Sequence, residues 1–241
     1  MSSTLTVDDV VRQVADAQQR LAAVVAGLTD ADVRAPSMLD GWSRGHVLSH
    51  LARNAESQAA MLEGAARGEI VAQYPGGDAQ RDGDIEQGAG RPVDELVADL
   101  ASGHRRFLAA ASALSGDDWD RPTRSRLGEL PARVTPWARW REVEVHGADL
   151  GSTRASRPFR LSNDFVRWFL PPEIDRLPER VATAGGSSGV DEFELDGDPA
   201  EQLLWLMGRA APTARLIVAG VEVDQATLAP WSLTAWIPGG P

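Results

Sequence analysis

Up to Leu150 the apolar residues recur at three- and four-residue intervals in four separate stretches, and this period restricts the fold more than any other feature. Such a stripe must bury itself against other helices, whereas a half-buried strand needs a two-residue alternation. The first stretch runs through Val7, Val10, Val11, Val14, Ala17, Leu21, Val24 and Leu28, with Thr6 or Ser3 as its cap. The second carries Val47, Leu48, Leu51, Ala55 and Leu62, opens at Ser43 and ends near Gly64 or Gly68. The third starts at Pro92 and continues through Val93, Leu96, Val97, Leu100, Phe107, Leu108 and Leu114. The fourth opens at Thr135, a cap, and Pro136, whose missing N–H is no loss in a first turn.

Residues 29–39 leave room for at most one helical turn, residues 70–92 read as a long Gly/Asp/Gln-rich loop, and residues 115–134 as a second irregular stretch. Four helices with long second and third connections predict an up-and-down bundle with a site between facing helices. After Leu150 the pattern changes. Residues 151–158 read as a linker, followed by a short helix over 163–170 stopped by Pro171 and Pro172, and a Gly/Ser turn at 185–189. A strand at 192–195, a helix over 200–209 and a hairpin of 216–218 with 221–223 complete the pattern. The expected organisation is an all-α four-helix bundle over residues 1–151 and a smaller α+β domain over 158–241.

On the fourth helix Glu142 and His146 stand one turn apart and can reach a single point, while Glu144 is turned about 200° from His146 and faces away. A carboxylate and an imidazole are two parts of a metal site. The chain has four histidines, and His46 and His50 flank the stripe of the second helix at the same spacing. His50 lies nearer the stripe and His46 in the first turn, so His50 is the better inward-facing third ligand. From spacing alone, however, a helix-surface ion pair is the commoner explanation of Glu142 with His146. His104, beside Arg105 and Arg106, reads as a solvated face, and Trp42 and Trp140 as packing or pocket lining.

The net charge of −11, with arginine as the only basic residue apart from histidine, argues against a nucleic-acid or anionic-membrane surface. No stretch resembles a signal peptide or a membrane span, so a cytoplasmic protein is expected. There is no cysteine. A zinc site must therefore use His and carboxylate, and thiol chemistry needs a thiol from outside.

Two stretches, LDGWSRGHVLSHLARNAE from Leu39 and WARWREVEVHGADLG from Trp137, resemble the metal-binding helices of the mycothiol-dependent maleylpyruvate isomerases of actinobacteria. The similarity continues in AQRDGDIEQGA around Arg81 and more loosely in LLWLMGRA around Arg209. The resemblance implies a DinB-like four-helix bundle followed by a small α+β domain. It places zinc ligands on His50, Glu142 and His146, and arginines for substrate handling or catalysis on Arg81 and Arg209.

The activity so implied is isomerisation of maleylpyruvate to fumarylpyruvate in gentisate degradation, with a zinc ion and mycothiol as cofactors. Reversible thiol addition would leave a single bond free to rotate, with arginines holding the substrate carboxylates. Asp149 and Glu144 are expected as groups behind the ligands or on the surface. The expected partners are a dicarboxylate and a low-molecular-weight thiol, in a monomer with no nucleic acid and no membrane. Two other readings stay open: another metal-dependent mycothiol S-transferase of the same superfamily, and a non-enzymatic metal-binding module.

Overall fold

The computed structural model describes residues 5–154, 157–183 and 193–228. The chain divides into two compact units, Met1–Arg160 and Leu161–Pro241. The expected turn at 185–189 and the tail from 231 lie outside the described residues.

In the first unit, α1 spans Val7–Val25 and is opened by Thr6, whose hydroxyl accepts from the Asp9 N–H while Asp9 accepts in return from the Thr6 N–H. This reciprocal box satisfies two donors that a helix start leaves free. The short α2 (Asp30–Arg34) repeats the device with Thr29 and Asp32. Next, α3 runs Arg44–Arg67 behind Ser43 and stops at Gly68, whose φ of 74° suits a residue without a Cβ. It is followed by α4 (Gly77–Ala89), α5 (Val93–Ser112), a 3-10 turn at Gly116–Asp120, and strands β1 (Pro122–Ser125) and β2 (Gly128–Pro131). The last helix of the unit, α6, is Val134–Asp149. Both α1 and α3 pack on α5 and α6, so the four long helices close a bundle around Val14, Leu21, Leu48, Leu62, Leu100, Phe107 and Trp140.

Two connections differ from expectation. Within 70–92 the chain forms α4, which buries only Ile85, Gly88 and Ala89 and therefore lacks a readable stripe. Its closeness to α3 replaces apolar area: a Cβ on Gly45 would collide with the Ala89 carbonyl oxygen, and one on Gly88 with the Ser49 hydroxyl. Within 115–134 the 3-10 turn and an antiparallel hairpin, in register Thr123 to Leu130, replace irregular chain. This lead-in also moves the start of α6. The helix begins at Val134 behind Arg133, so Thr135 lies inside it and caps nothing.

The second unit contains α7 (Asn163–Asp175), α8 (Leu177–Thr183), β3 (Phe193–Asp196), α9 (Pro199–Leu206), β4 (Arg215–Val218) and β5 (Val221–Val223). The strands form an antiparallel sheet ordered β3-β4-β5, with α7 packed on α8 and α9. Pro171 and Pro172 do not end α7. Its buried face, Phe165, Val166, Phe169 and Leu170, continues to Glu173, and this packing outweighs the hydrogen bonds the prolines forgo. The last helix is shorter than expected, ending at Leu206 because Gly208 takes a φ of 77° and turns the chain. The first unit is an α-helical bundle and the second a smaller α+β domain. Among the described residues no helix is long and apolar enough to cross a membrane.

Candidate metal centre

The C-terminal end of α6 meets the N-terminal end of α3, as Arg44 Nε donates to the Leu150 carbonyl at 2.6 Å and the Met38 N–H donates to that of Asp149 at 2.8 Å. An antiparallel pair in this register sets His50 of α3 opposite Glu142 and His146 of α6. His50 Nε2 lies 2.8 Å from Glu142 Oε2, and His146 Nε2 lies 3.5 Å from the same oxygen. The rings of His50 and His146 meet edge to face, with centroids 4.6 Å apart. These three residues are the one such group of potential ligands found among the described residues, with the candidate atoms within 4.8 Å of one another.

The trio fits a small divalent cation. Bonds of about 2.0–2.1 Å in tetrahedral array put neighbouring ligand atoms ~3.3 Å apart, close to the Glu142 to His146 separation. The protonation states fit as well. Burial, helped by the charge of His146, pushes His50 down from 6.5 to about 4 against the pull of Glu142, so its ring is neutral near neutrality. Burial favours the protonated form of Glu142, but the His50 hydrogen bond and the charges of His146 and Arg141 outweigh it and keep the carboxylate ionised. His50 is only 4 % exposed and forms the floor, whereas the Glu142 and His146 side chains are each 17 % exposed and form the rim.

Further groups orient the three. Asp149 Oδ2 accepts from His146 Nδ1 at 2.8 Å, which leaves the Nε2 lone pair of that ring toward Glu142. On α4, Arg81 Nη2 lies 3.3 Å from His50 Nδ1. The Trp42 ring lies 5.7 Å from the His50 ring. His46 is engaged elsewhere, with Ser43 on one ring nitrogen and Glu86 at 3.0 Å on the other.

Of the residues singled out in the sequence, His50, Glu142, His146 and Arg81 come together. Arg209 belongs to the second unit, where its Nη1 donates to the Met207 carbonyl at 2.8 Å. Glu144 faces away from the trio but is fully buried, bonded to Arg20 and, at 3.2 Å, to Trp140 Nε1. It is a core group that ties α6 to α1. His104 is also buried, because the α5 face that carries it packs on α3 through Gly103, which lies against Ala52 and Ala55. Asp149 acquires a definite role from its i, i+3 spacing to His146, a signal visible in the sequence. The burial of Arg139 had no such signal.

Residues 14–151 match the family model described as the mycothiol maleylpyruvate isomerase N-terminal domain. The chain belongs to this family. The match covers more than half of the chain and includes every residue of the His50, Glu142 and His146 trio. As a member of the mycothiol maleylpyruvate isomerase family, the chain also shares its fold with solved structures. A crystal structure of the mycothiol-dependent maleylpyruvate isomerase superposes with a TM-score of 0.79 at 20% identity, over 94% of this chain and 98% of that one. A histidine-to-alanine mutant of that enzyme gives 0.78 at the same identity and coverage. YfiT from Bacillus subtilis, described as a probable metal-dependent hydrolase with an unusual four-helix bundle topology, gives 0.50 at 18% identity over 62% of this chain and 89% of that one. No curated protein matches the sequence significantly.

Proposed function

We propose that this family member catalyses the mycothiol-dependent isomerisation of maleylpyruvate to fumarylpyruvate, a step of gentisate degradation, at a zinc ion held by His50, Glu142 and His146. One observation carries the reading: a buried neutral imidazole, an ionised carboxylate and a second imidazole converge in a chain that has no cysteine. Bound there, zinc and the thiol would supply a low-pKa sulfur for reversible addition across a conjugated double bond.

The chain's own groups do the rest. His50 arrives neutral and Glu142 ionised, and Asp149 holds His146 in the matching tautomer. Arg81, beside His50, offers a guanidinium fork for a substrate carboxylate and for charge developing next to it. Arg209 is assigned to a substrate carboxylate on the family resemblance alone.

The test is incubation of purified protein and maleylpyruvate with and without mycothiol, following the trans product. Product that needs both protein and thiol supports the reading. Loss of substrate without a trans product would point to transfer of the thiol, and metal binding without turnover to a binding module. His50→Ala should abolish zinc stoichiometry, and full retention would remove His50 from the ligand set.

A further inference from the structure

Arg139 is completely buried in the bundle, among the largest side chains to be so. Its Nη1 donates to the Leu51 carbonyl at 3.0 Å and to Asn54 Oδ1 at 2.8 Å, both on α3. Its Nε and Nη2 have no hydrogen-bond partner among the described residues. Burial lowers its pKa from 12.5 to about 10, opposed by the fields of Glu142 and Tyr74, so the guanidinium stays charged at neutral pH. The side chain that accepts from it is a neutral amide where a carboxylate would be the ordinary counter-ion.

Such a residue does not serve stability. A buried cation bonded to an amide, with donors left unmade, holds a fold less well than an apolar side chain of the same volume. What it does provide is register. Leu51 follows His50 directly and Asn54 is one turn further on, while Arg139 is one turn before Glu142 on the same side of α6. Its two bonds therefore lock α3 to α6 one turn deeper than the ligands. Glu144, another of the buried charges of α6, reaches α1 through Arg20, whereas Arg139 reaches α3.

We infer that Arg139 is a positioning residue that holds His50 at ligating distance from Glu142 and His146. The inference rests on the trio being a metal site, and the test separates the two. Cobalt(II) serves as the probe metal in the protein, and its visible bands report coordination geometry and occupancy. Wild-type protein should bind one cobalt; no binding would sink the metal-site reading itself. In Arg139→Met, cobalt affinity should fall about tenfold or more, the loss typical of groups that orient ligands. The bands should also weaken, while the melting temperature of the metal-free protein holds or rises. Arg139→Lys, which can still donate to Leu51 and Asn54, should restore most of the spectrum. Asn54→Ala removes one acceptor without touching the charge, should shift binding the same way, and decides the matter if Arg139→Met does not fold. Wild-type affinity and bands in folded Arg139→Met, or in Asn54→Ala should Arg139→Met not fold, would overturn the inference.

Discussion

Asp149 Oδ2 accepts from His146 Nδ1 at 2.8 Å, within one turn of the same helix. The carboxylate is almost fully buried, so it has little water to turn to and the imidazole keeps one tautomer. Asp149→Asn should weaken zinc binding about 10-fold, because the amide can present its N–H to the ring and favour the wrong tautomer. Competition against a chromophoric chelator measures this, and an unchanged constant would deny Asp149 the orienting role.

Glu142 and Glu144 offer a paired contrast two residues apart. Glu142→Gln should abolish zinc stoichiometry with little change in the stability of the metal-free fold. Glu144→Gln should leave stoichiometry intact and lower stability by roughly 1–2 kcal/mol, a buried-pair loss discounted because Arg20 is partly solvated. Metal analysis beside thermal denaturation reads both, and the reverse pattern would exchange their roles.

Arg81 bears on metal loading itself. A guanidinium only donates, so its contact makes His50 Nδ1 an acceptor and places the ring proton on Nε2, toward Glu142. Ligation through Nε2 requires the proton on Nδ1 and gives up the Arg81 contact. Arg81→Gln should therefore bind zinc about 3- to 10-fold more tightly, the worth of one net hydrogen bond, while losing turnover. Weaker zinc binding in this variant would count against the exchange.

His104 contributes to the pH response of the metal-free protein. Burial, helped by the charge of Arg139, holds its pKa below the ordinary 6.5. As pH falls through 6.5 the unfolded chain takes up a proton that the folded chain refuses, so the stability present above 6.5 is withdrawn below it. The His104 share of the loss between pH 6.5 and pH 5 should be roughly 2 kcal/mol, and His50, held down to about 4, adds a loss of the same sign. His104→Leu should reduce that slope in denaturant titrations of the metal-free protein and leave the His50 share, and an unaltered slope would exclude His104 as a source.

The bundle was legible because the apolar positions of α1, α3 and α5 recur at helical spacing, and the convergence of His50, Glu142 and His146 because the two α6 residues share a face one turn apart. Residues 70–92 were misread because α4 is held by glycine contacts, which leave no period to detect. Pro171 and Pro172 suggested a stop that the aromatic packing of Phe165 and Phe169 overrides, their rings lying 4.1 Å apart. His104 looked solvated because charge and polarity dominate a sequence reading, while its burial is decided by neighbours far away in the chain.

The seam between Gly45 and Ala89 has a consequence for how members of this family can diverge. Arg81 lies seven residues before Gly88, about 10 Å along the axis of α4. A single added methyl at the seam would tilt the helix as a lever and displace the guanidinium at its other end. Selection can thus retune the reach of Arg81 through positions that never meet a ligand.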